Sequence, residues 1–247
     1  MEKILEICCG SYEDALNADR GGAKRIELNS ALHLGGLTPS LATLKLTKEN
    51  TNLSVISMLR PRGAGFNYND IDFEVMKMDA KLLMENGSDG LAFGFLTEEG
   101  EVDKEKTSAI VKIIKEYNGE AVFHRAFDCV KDPYNTMEIL IELGIDRVLT
   151  SGLEPKALEG KEVIKKLQEK YGDRIEVLAG SGVNIGNMDE IMDYTGIYQV
   201  HSSCKAWVED PTTHKNNVSY SYASSPNEMN YDIVSYDLVK GMVENLK

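Results

Sequence analysis

The sequence predicts an α/β fold, a single (β/α)8 barrel with a long loop before its last helix, with residues 1–247 forming one domain. Three observations carry this prediction. Short apolar runs alternate with amphipathic stretches of helix length from end to end, the pattern of serial β-α units around a parallel sheet. Eight such units fit the roughly 250 residues that a closed barrel commonly needs. A doubly wound open sheet would carry a glycine-rich dinucleotide turn early in the chain, whereas "GSGVNIGN" stands at the seventh strand and lacks that spacing.

The elements follow in order. Strand one, Ile4 to Cys8, is a short apolar run that ends at the adjacent Cys8 and Cys9 and leads into helix Tyr12 to Asp19. Strand two, Arg25 to Leu28, precedes helix Pro39 to Glu49, and strand three, Leu53 to Leu59, precedes helix Ile71 to Glu85. Strand four, Gly90 to Leu96, is followed by helix Lys104 to Tyr117, and strand five, Ala121 to Asp128, by helix Pro133 to Glu142. Strand six, Arg147 to Ser151, leads to helix Ala157 to Tyr171, and strand seven, Ile175 to Ala179, to helix Met188 to Tyr194. Strand eight, Tyr198 to Ser202, is separated from the closing helix, Ile233 to Leu246, by the long irregular segment Trp207 to Asp232, a length typical of lids or insertions. The entries "GGAKRIEL", "NGSDGLAF", "LGIDRVLT" and "YTGIYQVH" each place a Gly where a left-handed cap ends the preceding helix.

Composition narrows the function classes. A net charge of −13 disfavours nucleic acid and anionic lipid as partners. No stretch approaches the roughly 20 apolar residues that span a bilayer, and the first residues do not resemble a signal peptide, so a cytoplasmic location is expected. Four cysteines in 247 residues are too few for a disulfide scaffold, which leaves reduced thiols.

In a parallel barrel, side chains alternate inward and outward and chemistry collects at the C-terminal strand ends. Parity then places Ile4, Glu6 and Cys8 inward on strand one and Glu27 and Asn29 inward on strand two. Arg60 and Arg62 stand at the mouth after strand three; His124, Ala126 and Asp128 share a face of strand five, with Arg125 opposite; Gln199, His201 and Ser203 share a face of strand eight. Acids, arginines and histidines converging on one mouth point to a site for a small anionic ligand, because buried charges are unfavourable unless paired. Glu27 or His124 is the candidate general base, with Asp128 orienting His124. Glu6, Arg60, Arg62, Arg125, His201 and Ser203 are candidate substrate contacts, and Gly180, Ser181 and Gly182 after strand seven are placed to hold a phosphate with backbone N–H groups. No motif requires a cofactor.

The stretches "RIELNSALHLGGLTPS", "MLRPRGAGFNYND", "GSDGLAFGFLTEEGEVD", "FHRAFD", "RVLTSG" and "LAGSGVN", in this order, resemble the CutC family, named for a role in copper homeostasis. The resemblance implies a TIM-like barrel, often a homodimer, and Cu(I) as the ion bound. It also implies Cys8 as a metal ligand and puts Asn29 where a second ligand cysteine stands in the family. Cu(I) is soft and prefers thiolate, so an amide at Asn29 weakens such a two-coordinate site. Two functions follow: a copper-homeostasis protein that uses Cys8, or a lyase- or isomerase-like enzyme doing acid/base chemistry on a small anionic or phosphorylated metabolite in the barrel mouth. Cys204, at the end of strand eight, can approach Cys8 or Cys9 if the turn after Ser203 bends to allow it, but parity makes the outward Cys9 its expected neighbour, and Cys129 is a bystander, so Cu(I) is expected to bind weakly unless Cys204 supplies a second sulfur.

Overall fold

Residues 2–246 are described by a computed structural model. Eight parallel strands close in sequence order into a barrel: β1 Ile4–Cys9, β2 Arg25–Leu28, β3 Ser54–Met58, β4 Gly90–Phe93, β5 Glu120–Phe123, β6 Arg147–Thr150, β7 Glu176–Ala179 and β8 Gln199–Ser202. Around them run α1 Tyr12–Arg20, α2 Leu41–Asn50, α3 Asp70–Glu85, α4 Lys104–Glu116, α5 Pro133–Glu142, α6 Lys161–Tyr171, α7 Met188–Thr195 and α8 Tyr236–Asn245. This is the architecture read from the alternation of apolar runs and helices.

Local chemistry explains where the helices begin and end. Ser11, Ser40, Asn69, Asp103, Asp132 and Ser235 each accept a first-turn N–H at a helix start, satisfying donors that the helix itself leaves open. Gly22, Gly87, Gly144 and Gly196, one in each of the four repeated entries, all take φ between +76° and +94°. A side chain there would be strained, so the turn from helix to strand depends on glycine.

The two faces of the strands carry different chemistry. Leu5, Ile7, Cys9, Ile26 and Leu28 face the helices in the main apolar core. Inside the barrel, Ile56, Met58, Ala92 and Val122 make a small apolar cluster on β3, β4 and β5. Beneath the mouth the interior also holds an ionic layer. Glu6 Oε2 accepts from Arg25 Nε at 2.6 Å and from Arg147 Nη1 at 3.3 Å. Arg147, 1% exposed, also donates to Glu176 at 3.0 Å and to Glu120, while Arg25 Nη2 donates to Gln199 at 2.7 Å. Barrel closure completes this layer, because pairing of β1 with β8 sets Glu6 opposite His201.

Several boundaries differ from the sequence reading. Strand five does not reach Asp128: β5 stops at Phe123, and Arg125–Cys129 form a 3-10 turn. The Asp128 carboxylate pulls this turn toward β6, accepting from Thr150 Oγ1 and from the backbone N–H groups of Ser151 and Leu153. Helix α6 starts at Lys161 instead of Ala157, since Gly160 lies tightly against the backbone of Ser151 and Gly152. Helix α8 starts at Tyr236 because Ile233 belongs to a strand.

That strand corrects the reading of Trp207 to Asp232 as irregular. β9 Lys205–Glu209 pairs antiparallel with the later strand Asn230–Val234, and between them His214–Lys215 and Val218–Ser219 form a short hairpin, so that these three further strands are β10, β11 and β12 in chain order. Tyr222 from this excursion stacks on His33 at 4.8 Å between ring centroids.

Removing one member of a buried ionic layer leaves an uncompensated charge, so Arg147→Met is expected to lower stability by about 3–5 kcal/mol. Urea unfolding checks this, with Glu6→Gln/Arg147→Met expected to recover part of the loss; an Arg147→Met protein as stable as the parent would show that the layer is dispensable.

Candidate functional site

A cavity of about 290 Å³ opens at the C-terminal ends of the strands. Cys8, Glu27, Asn29 and His201 form one wall, and Met58, Arg60, Phe66 and His124 form another. Ser181, Gly182, Ser203, Arg125 and Lys205 complete the rim.

The first wall is a cluster of titratable groups. Pairing of β1 with β2 sets Cys8 beside Glu27. Cys8 Sγ donates to Glu27 Oε2 at 3.9 Å, and Asn29 Nδ2 donates to the same oxygen at 3.0 Å and to Cys8 Sγ at 3.6 Å. His201 Nδ1 lies 2.9 Å from Glu6 Oε1, which leaves Nε2 as the ring nitrogen available to the cluster. The donor atoms of Cys8, Glu27 and His201 lie within 4.8 Å of one another.

Burial and charge act against each other here. Burial pushes the Glu6 carboxyl up, but Arg25, His201 and Arg147 together hold it well below the usual carboxylate range. Burial alone would push His201 down, yet its bonds to Cys8 and Glu6 and the nearby Glu27 charge hold it well above an ordinary imidazole. Glu27 and Cys8 are both pushed up by burial, with His201 opposing. Burial thus strengthens the hold of Cys8 and Glu27 on their protons, and protons held in the cluster can be exchanged for a metal ion or passed to a ligand.

His124 differs. Its Nδ1 accepts the Ala126 N–H at 3.2 Å, and burial, with the Arg60 charge, pushes its pKa down to about 3. The sequence paired it with Asp128 as an acid/base couple, but Asp128 binds Arg125 at 2.7 Å and Ser151 instead, so the two do not form a dyad. Other placements also depart from the sequence reading. Arg62 is turned away from the cavity, donating to Asp72 at 2.9 Å and lying over the Tyr68 ring. Arg60 lines the cavity, but its guanidinium donates to the carbonyls of Leu34, Gly36 and Ala64. Gly180 is not part of the lining; a Cβ there would meet Leu149 at 2.6 Å, so it permits close packing beneath the loop. Arg125 reaches the rim because of the 3-10 turn. Cys204 Sγ contacts Met242 Sδ at 3.5 Å and Ser202 on the helix side, and the buried Cys9 lies in the same outer core, so neither supplies a second sulfur to Cys8. Cys129 is exposed.

The sequence reading passed over Arg25 and Arg147, the cations beneath the site. Parity could have found Arg25, which shares its inward face with Glu27 and Asn29, and Arg147, which shares one with the cavity-lining Leu149.

The chain matches the model of the CutC family over residues 3–206. It belongs to the CutC family. The family protein CutC of Treponema denticola is 45% identical over 243 residues, 98% of each chain. The copper homeostasis protein cutC homolog of Homo sapiens is 44% identical, covering 82% of this chain and 74% of its own. Among solved structures, the putative copper homeostasis protein CutC of Streptococcus agalactiae superposes with a TM-score of 0.77 at 32% identity, over 81% of this chain and 98% of its own. Among the described residues, no helix is long and apolar enough to cross a membrane.

The low pKa of His124 has a consequence for stability. Between about pH 3 and 6.5 the unfolded chain binds the His124 proton and the folded chain does not, so this residue makes stability rise with pH across that window. Its contribution reaches about 1.4 kcal/mol per pH unit. In urea unfolding at pH 7 and pH 5, His124→Gln is expected to lose less stability on acidification than the parent; equal losses would mean that His124 titrates normally in the fold.

Proposed function

We propose that this chain is a copper-handling CutC protein that holds one copper ion in the barrel mouth through Cys8 and His201, with Glu27 as a third donor. The observation that carries this reading is the setting of His201: a buried carboxylate, Glu6, fixes its Nδ1 and leaves Nε2 beside the thiol and carboxylate of the cluster. A metal-bound histidine is commonly oriented by a carboxylate in this way. One sulfur, one imidazole and one carboxylate form a mixed donor set, less suited to Cu(I) than two thiolates, because Asn29 supplies an amide where a second sulfur would stand. Copper is cargo here, and no resident cofactor is invoked. The names carried by the human and streptococcal relatives agree with this role. We place the protein in the cytoplasm as one domain and assign it a homodimeric state, with the exposed Ile71, Val75 and Met78 on one face of α3 as the candidate contact.

Metal binding must displace the Cys8 thiol proton and the proton of His201, so copper affinity is expected to rise with pH. Competition against a Cu(I) chelator is expected to show strong loss in Cys8→Ser and His201→Ala, little change in Cys204→Ser, and tighter binding in Asn29→Cys. Unchanged binding in Cys8→Ser would sink the reading.

A second reading is acid/base chemistry on a small anionic or phosphorylated metabolite. It is favoured by the cationic rim of an otherwise acidic chain, Arg60, Arg125 and Lys205, and by Ser181 and Gly182, whose positive φ values shape the loop after β7 where barrels often hold phosphate. Glu27, pushed up by burial, is then the proton-transfer group. Calorimetric titration with inorganic phosphate at low salt tests this: Arg125→Ala is expected to lower affinity by about tenfold, and Arg62→Ala to leave it unchanged. Identical affinities in Arg125→Ala and parent would count against the anion site.

A further inference from the structure

The two walls of the mouth differ in how their polar atoms are satisfied. Cys8 and Asn29 donate to Glu27, and His201 bonds through Nδ1 to Glu6. His124, on the opposite wall, differs. It is 3% exposed, and its Nε2 has no hydrogen-bond partner among the described residues. Because Nδ1 accepts the Ala126 N–H, the ring proton sits on Nε2. The His124 ring lines the cavity while its Nε2 is buried, so what it offers is a buried donor, and its only acceptor lone pair is already used.

The ring is held in place. Phe66 packs against it at 4.9 Å between centroids, and Gly94 lies so close that a Cβ would meet Nδ1 at 2.8 Å. Burial, and after it the fixed Arg60 guanidinium bound to three carbonyls and lying over Phe66, disfavour a second proton on the imidazole. A neutral imidazole with its N–H unused suits a neutral oxygen acceptor better than a phosphate, which an imidazolium would bind more strongly. Leaving such a buried donor unpaired costs about 1–3 kcal/mol, a cost that a ligand oxygen removes. The cavity-lining Met58 is a flexible side chain of the kind that shifts to accommodate a ligand.

We propose that His124 is a hydrogen-bond donor to the carbonyl oxygen of a small anionic carbonyl compound whose anionic end lies toward Ser181 and Gly182. This rests on the second reading above; His124 is not one of the copper donors, although Glu27 is shared by both readings. It reverses the role that the sequence suggested for His124: the residue polarises a carbonyl and does not remove a proton, leaving Glu27 as the proton-transfer group on the facing wall.

The test uses the full chain without added metal and two probes that differ at one carbon, dihydroxyacetone phosphate and glycerol 3-phosphate. Nitrogen-15 NMR of the histidine side chains is expected to show His124 protonated on Nε2 and not titrating above pH 5. The ketone is expected to shift that nitrogen and to bind about tenfold more tightly than the alcohol, the worth of one well-placed hydrogen bond. In His124→Phe the preference is expected to fall to about one; should that variant not fold, the tautomer and the probe preference in the parent still decide. A proton on Nδ1, titration near pH 6.5, or equal affinities with the amides of Ser181 and Gly182 shifting while Nε2 stays still would overturn the donor role and leave the anion site standing. No shift of any mouth resonance with about 10 mM of either probe, far above the Kd of a 1 mM site, would overturn both.

Discussion

The carboxylate of Glu6 joins the two ends of the barrel interior. One oxygen takes Arg25 and Arg147 in the ionic layer beneath the mouth, and the other takes the Nδ1 of His201 at the mouth. A buried carboxylate with this many cationic partners stays ionised, and its charge then fixes the ring it touches. Burial sets the direction for Cys8 and Glu27, and His201, fixed by Glu6, opposes it. The site is thus coupled to the fold through one residue, and replacing Glu6 would disturb both.

The barrel interior is divided by chemistry as well as by position. On β3 to β5 the apolar cluster of Ile56, Met58, Ala92 and Val122 separates the level of His124 from Glu120 in the ionic layer. On β1, β2 and β8 the ionic layer lies directly below the Cys8 cluster. The same residue type therefore behaves oppositely on the two walls: His201 over carboxylates holds its proton strongly, whereas His124 near Arg60 and aromatic rings remains neutral. A cavity with a thiol, a carboxylate and an imidazole on one wall and a neutral His124 on the other can serve either a metal or a small ligand.

Membership of the CutC family adds a name to this mouth without choosing between those readings. The streptococcal relative, aligned over 98% of its own chain, matches only 81% of this one, and the family model ends at residue 206, within β9. The β9 to β12 excursion therefore lies almost wholly beyond the matched model. It touches the site through Lys205 on the rim and lies close to it through Tyr222, which stacks on His33.

Much of the barrel was legible in the chain because strand alternation and helix capping are local. The glycines at 22, 87, 144 and 196 need a left-handed turn wherever they stand, and the parity of Glu6, Cys8, Glu27, Asn29 and His201 follows from the pleat alone. The partner of each polar or sulfur side chain was not legible, because it is set by how separate elements pack and not by local pattern. Asp128 binds the start of the loop after β6 instead of the adjacent His124, Arg62 turns to Asp72, and Cys204 turns to Met242 on α8. Pattern determined which residues enter the barrel; closure of β8 onto β1, a contact between residues almost two hundred positions apart, decided that Glu6 meets His201 and so what the mouth can do.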